Sequence, residues 1–187
     1  MESKMLSASK LDNQIKRQKK NVAELAAAMK RAGMSIQQAQ SAIGNWRKGL
    51  FRPLPKSSDI EALASALGVE VTDISEWRSS FRYAPNSPKK ARLVTQLIAG
   101  RSAQQALDLL KFTRKRAAEM IQKALKSAIA NADEAGADVE NLYVCQAKID
   151  SAGVRMGTKR YQEKDRGKAY GIRKMASHIR IAVTEME

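Results

Sequence analysis

Residues 142–184 read LYVCQAKIDSAGVRMGTKRYQEKDRGKAYGIRKMASHIRIAVT. The two ends of this stretch alternate as half-buried strands do, Tyr143, Cys145, Ala147 and Ile149 against Val144, Gln146 and Lys148, then Ile179, Ile181 and Val183 against His178, Arg180 and Ala182. The middle does not fit an ordinary hairpin, which turns in a few residues. Residues 150–177 carry Arg155, Lys159, Arg160, Lys164, Arg166, Lys168, Arg173 and Lys174 with few large apolar groups. Such a segment cannot bury enough surface to hold itself down. Continued as a ribbon, about 13 residues per arm reach roughly 40 Å at about 3.3 Å per residue, and a ribbon that long needs something to line it. Its charge specifies a polyanion; the competing reading is a disordered basic loop.

The rest of the chain agrees with a polyanionic partner. Its 187 residues carry a formal charge of +15 and a pI near 10.1, which points to nucleic acid or an acidic membrane face. Both halves are basic, the second more so. One cysteine, Cys145, excludes an internal disulfide framework and suits a reducing compartment. No apolar run approaches the roughly 20 residues that span a bilayer, and MESKMLSASKLDNQ lacks the apolar core of a secretory signal. A cytoplasmic protein without a membrane partner is expected.

Upstream of the ribbon, Phe81–Ala84 reads as a short strand. Ser87 and Pro88 start a helix that uses Ala91, Val94, Leu97 and Ile98 and stops at Gly100. Lys89, Lys90 and Arg92 crowd its first turn, where the macrodipole disfavours cations, so an external anion is expected there. Ser102 caps a second helix on Ala103, Ala106, Leu107 and Leu110. Thr113 opens the longest, to about Ala132, with a core stripe of Ala117, Met120, Ile121, Ala124, Leu125, Ala128 and Ile129. Lys115, Lys123 and Lys126 lie off that stripe and Arg114 and Arg116 add charge to its start; such a face alone is usually just solvated, but with the flanking charges it is a candidate phosphate track. The fold class is α+β: a small antiparallel sheet with a long protruding β-hairpin (about 150–177) packed on three helices, over 81–187.

Residues 1–80 predict an all-α domain of five short helices. Capping patterns at Ser9–Asp12, Asn21–Glu24, Ser35–Gln38 and Ser58–Glu61 start four of them, and Thr72 caps a fifth through Trp77. Gly33, Gly49 and Gly68 are read as stops, and Trp46 and Trp77 as core anchors.

Two resemblances follow. GNWRKGLFRPLPKSSDIEALASALGV, residues 44–69, resembles the Cro/repressor type of helix-turn-helix domain through Arg52-Pro53 and Ala66-Leu67-Gly68-Val69. The resemblance covers roughly 22–78 and is several residues short upstream. It implies a recognition helix over Ile36–Lys48 with Gln37, Gln38, Gln40, Ser41 and Asn45 toward base edges and Arg47, Lys48 and Arg52 toward phosphates of DNA; the alternative is a solvated face of a helical add-on. NSPKKARLV at 86–94, QALDLL at 105–110, LKSAIANA at 125–132, LYV at 142–144 and SHI at 177–179 resemble, in order and with nearly constant spacing, the bacterial-type L22 family of large-subunit ribosomal proteins.

The second resemblance implies a domain packed on large-subunit rRNA among neighbouring ribosomal proteins, its hairpin lining the nascent-peptide exit tunnel. Carried over position by position, it implies rRNA contacts at Ser87, Lys89, Lys90 and Arg92, at Lys126 and Ser127 in the long-helix motif, at Lys159 and Arg160 on the outgoing arm, and at Ser177 and His178 at the base of the return strand; the basic residues Arg82, Arg114, Lys115, Lys123, Arg173 and Lys174 complete the expected rRNA-binding set. It also matches Arg166-Gly167-Lys168-Ala169 to the tunnel tip, which in this chain takes in Glu163, Lys164 and Asp165 as well. The family's tip is almost purely basic, so Glu163 and Asp165 depart from it, and the outgoing arm is about three residues longer than the family pattern.

An enzyme is not expected. Cys145 falls at an apolar strand position, as a buried inert thiol does, and His178 reads as an RNA contact or a surface residue rather than its base. Ser87–Lys90 spells Ser-x-x-Lys, which helix capping explains. No metal-ligand spacing or phosphate loop is present, and no cofactor is called for.

Overall fold

A computed structural model describes residues 4–29, 34–155, 157 and 160–185. The chain divides into two compact units, one of 1–77 with 131–139 and 184–187, the other of 78–130 with 140–183.

The first unit holds α1 (Ala8–Gln18), α2 (Val22–Ala28), α3 (Ile36–Arg47), α4 (Ser57–Leu67) and α5 (Val71–Ile74). Ser35 and Gln38 form the expected capping box, Ser35 Oγ accepting from Gln38 N at 3.3 Å and Gln38 Oε1 from Ser35 N at 3.0 Å. Two other starts differ. α1 begins after Ser7, earlier than a cap at Ser9 predicts, and α4 begins after Lys56, with Asp59 accepting from its amide at 2.9 Å. α2 ends at Ala28; the stop expected at Gly33 lies outside the described residues. Gly49 and Gly68 do take left-handed backbone at φ +74 and +73, where a side chain is costly. The core gathers Leu11, Ile15, Leu25, Ile43, Trp46, Ile60, Leu63 and Leu67. Trp46 is fully buried, its indole N–H donating to Pro53 O at 2.6 Å. Asp12 ties α1 to α3: hydrogen bonds from Lys16 and Arg47, each 2.6 Å at the closest, hold its carboxyl below the ordinary aspartate value.

This half is not all-α. β1 (Lys4–Leu6) pairs antiparallel with the start of β2 (Ser75–Ala84), Lys4 opposite Trp77 and Leu6 opposite Ser75. Trp77 therefore sits on a strand rather than in the fifth helix, which ends after a single turn at Ile74. It remains a core residue, fully buried.

The second unit contains α6 (Pro88–Ile98), α7 (Ala103–Phe112), most of α8 (Arg116–Glu134), and the strands β3 (Leu142–Val154) and, but for its last residues, β6 (Met175–Glu185). Strand order in the small antiparallel sheet is β1-β2-β6-β3. α6 packs on β3, and the turn after it runs along that strand, Gly100 N donating to Val144 O and Val144 N to Arg101 O, both at 2.9 Å. β6 buries Ile179, Ile181 and Val183 as its alternation predicts. In β3 the phase is reversed at the start: Leu142 and Val144 are buried and Cys145 is exposed, its Sγ 3.3 Å from Ala182 O. The expectation of a buried thiol is thus corrected. Both faces of LYVC are apolar, so alternation could not choose between them. In α6, Leu97 is exposed and Thr95 takes the buried place.

β4 (Arg160–Lys164) and β5 (Lys168–Ile172) form a separate two-stranded ribbon, exposed throughout, turned by Asp165–Gly167 with Arg166 and Gly167 at φ +55 and +71. Below the ribbon Arg155 N donates to Lys174 O at 2.8 Å, whereas Arg160 lies opposite Ile172.

Candidate nucleic-acid interface

Within the second unit, a crevice of about 760 Å³ opens where the starts of α6 and α8 meet the base of the return arm. Lys90 comes from the first turn of α6, Lys115 and Arg116 from the start of α8, and Arg173 and Lys174 from the segment before β6. No carboxylate lines it among the described residues. Cations at helix N-termini oppose the macrodipole and repel one another, so this arrangement lowers the stability of the protein alone and favours a bound anion. Polar groups are available for such an anion. The Ser87 hydroxyl makes no capping bond, and Asn86 Nδ2 is buried with no hydrogen-bond partner among the described residues.

A second, smaller recess of about 230 Å³ is lined by Ser80, Arg82, Tyr83, His178 and Arg180. The ribbon adds a third surface. Opposite residues share a face of a β-ladder and successive residues alternate. Arg160, Gln162 and Lys164 therefore share one face with Ile172, Tyr170 and Lys168, and Lys164 Nζ lies 5.3 Å from the Tyr170 ring centre. Tyr161 and Glu163 share the other with Gly171 and Ala169. Three cations and an aromatic lie on one side; the only charge on the other is a carboxylate.

Residues 79–184 match the family described as Ribosomal protein L22p/L17e. The chain belongs to this family. Among its relatives, the large ribosomal subunit protein uL22 of Maridesulfovibrio salexigens is 45% identical over 112 residues, 59% of this chain and 99% of the relative. The proteins of the same name from Metamycoplasma hominis and Sorangium cellulosum are 46% and 38% identical, over 58% of this chain in each case and 82% and 96% of the relatives. L22 proteins are structural constituents of the large ribosomal subunit and not enzymes. The first 78 residues lie outside the L22 match.

Of the residues singled out in the sequence, the crevice brings together Ser87, Lys90, Lys115, Arg173 and Lys174, and the recess brings Arg82 to His178. Lys89, Arg92 and Arg114 are exposed beside the crevice elements, the Arg92 guanidinium reaching Ile149 O at 3.4 Å. Lys123 and Lys126 lie further along α8, and Arg160 stands on the ribbon. Lys159 lies outside the described residues. Ser177 is corrected: it is fully buried, with no partner for its hydroxyl among the described residues, and cannot touch RNA directly. The alternation that turns Ile179 inward turns Ser177 inward with it. Sequence reasoning missed Asn86 and, in the recess, Tyr83 and Arg180.

In the other unit, Gln37, Gln38, Lys48 and Arg52 are exposed and Gln40 is half-buried. Three of the DNA-reading candidates hold local structure instead: Gln38 closes the capping box, Asn45 Nδ2 donates to Arg52 O at 3.1 Å, and Arg47 pairs with Asp12.

Proposed function

We propose that this protein is a cytoplasmic, ribosome-bound component of the large subunit that holds large-subunit rRNA in the crevice between α6 and α8 and lines the peptide exit tunnel with its ribbon, beside neighbouring ribosomal proteins. The observation that carries the rRNA reading is the convergence of five cations from three separate segments on one carboxylate-free crevice. Full-length protein should sediment with large subunits and stay with them through a moderate salt wash; recovery only as free protein would refute the reading.

For the tunnel, the two-faced ribbon sets an orientation: Arg160, Lys164 and Lys168 toward phosphate, Tyr161 and Glu163 toward the lumen and the nascent peptide. A carboxylate turned to phosphate is repelled unless paired. Replacing both Glu163 and Asp165 with Arg should leave incorporation into subunits unchanged and alter nascent-chain crosslinks at the tip. Loss of incorporation would mean that these acids face RNA and help hold the arm.

For residues 1–80 we propose a helix-turn-helix-like extension built on α2 and α3, which pack on one another, with α4 against α2. Sequence-specific DNA contact through it is the weaker reading, because Gln38, Asn45 and Arg47 are already engaged. It requires the full-length protein to select one DNA sequence and to lose that choice on Gln37→Ala. Weak, uniform, steeply salt-dependent binding would dismiss it.

A further inference from the structure

We propose that the recess of Ser80, Arg82, Tyr83, His178 and Arg180 holds a single unstacked RNA nucleotide, its base on the Tyr83 ring and its phosphate on the arginines. This rests on the rRNA reading above, but uses none of the crevice residues.

Tyr83 is the unusual residue. Its ring is 69% exposed and its backbone sits at φ +54, left-handed space that a bulky side chain occupies only at a cost. Such strain persists where surrounding contacts over-determine it, and it concentrates at sites of function. Here His178 supplies those contacts. Tyr83 N donates to His178 Nδ1 at 3.1 Å, and the two rings meet edge to face, centroids 4.7 Å apart at 75°. Because Nδ1 accepts, the neutral imidazole carries its proton on Nε2, a donor. The strain therefore holds an aromatic ring out in solvent beside a fixed donor, with no aliphatic side chain among the described residues lining the recess to cover it.

Arg82 and Arg180 supply positive charge. Asp150 pairs with Arg180 at 3.3 Å, an exposed contact that a phosphate can replace. The exposed Ser80 hydroxyl can donate to or accept from a 2′-OH. An aromatic platform, a ring N–H and two guanidiniums around a small opening suit a flipped-out nucleotide, the feature by which folded RNA is read apart from its helices. A paired duplex offers no free base face, so the occupant is a bulged or loop nucleotide.

The test uses full-length protein and a large-subunit rRNA transcript, with filter binding across salt concentrations and short-wave ultraviolet crosslinking mapped by mass spectrometry. A nucleotide adduct is expected on Tyr83. Tyr83→Gly suits the left-handed backbone, so its melting temperature should not fall. Its affinity should drop about tenfold, as for loss of one stacked base, with the salt slope unchanged because no charge is removed. Tyr83→Phe should bind within about twofold of the parent, since the ring is kept. Parent-like binding by Tyr83→Gly, or tight binding with no adduct at Tyr83, overturns the recess while leaving the rRNA reading intact. Failure of the unaltered protein to bind the transcript removes both.

Discussion

Full-length protein carrying Lys90→Glu, Lys115→Glu and Arg116→Glu should lose large-subunit rRNA while melting at a higher temperature than the parent. The two effects have one cause. All three side chains are exposed and none fills the core, so no packing is lost. At the N-terminal turns of α6 and α8, each cation removed relieves an unfavourable dipole interaction of about 0.3–1 kcal/mol, and glutamate makes it favourable. Removing a cation that holds a phosphate costs at least about 1 kcal/mol of binding, so three together weaken it by a hundredfold or more. Neutral alanine variants should flatten the dependence of log K on log salt by about 0.7–0.9 for each phosphate left without its cation. Filter binding over a salt series, read beside thermal melts, checks both signs. A lower melting temperature would mean that these cations hold the fold, and an unchanged salt slope that the crevice does not meet phosphate.

Trp46→Ala should abolish cooperative folding of the first unit. The side chain is completely buried at the centre of the helical core, and its loss costs about 3–5 kcal/mol in transfer and cavity terms. Pro53 O loses its indole partner as well. A unit of this size has a net stability of only about 5–13 kcal/mol, so this loss removes a large share of it. Hydrogen exchange is the discriminating measurement. Amides of α3 and α4 should lose protection, while those around Ile121, Leu125 and Ile179, buried in the other unit, keep theirs. Trp46→Phe, which keeps most of the packing, should restore protection in α3. Retained protection in the alanine variant would show that Trp46 is not the keystone its burial makes it.

Helix starts and stops were legible where capping chemistry marks them, at Ser35 and Gln38, at Ser87-Pro88, at Ser102, and at Gly49 and Gly68. The strands that depend on distant partners were not. Lys4–Leu6 is too short to carry a period and exists as a strand through its pairing with Ser75–Trp77. The change from α5 to β2 at Ser75 has no glycine or proline to announce it. Each cation of the crevice was visible in the sequence, as were the L22 motifs. Their convergence was not, because it depends on the fold bringing Lys90, Lys115 and Lys174 to one place. Tyr83 escaped notice because its left-handed backbone, unlike a glycine's, leaves no compositional trace.

The first unit is assembled from pieces made at different times. Thr184 Oγ1 donates to Ser75 O at 3.2 Å across 109 positions, Lys10 Nζ reaches Glu185 O at 2.9 Å, and Glu185 accepts from Asp138 N. At about 5–20 residues per second, the helices of residues 8–74 wait roughly 5–20 s before the segments that seal their unit leave the ribosome. During that interval the nascent helices stand as an unsealed intermediate with apolar surface open to chaperones, and Thr184 and Glu185 close the unit only when they arrive.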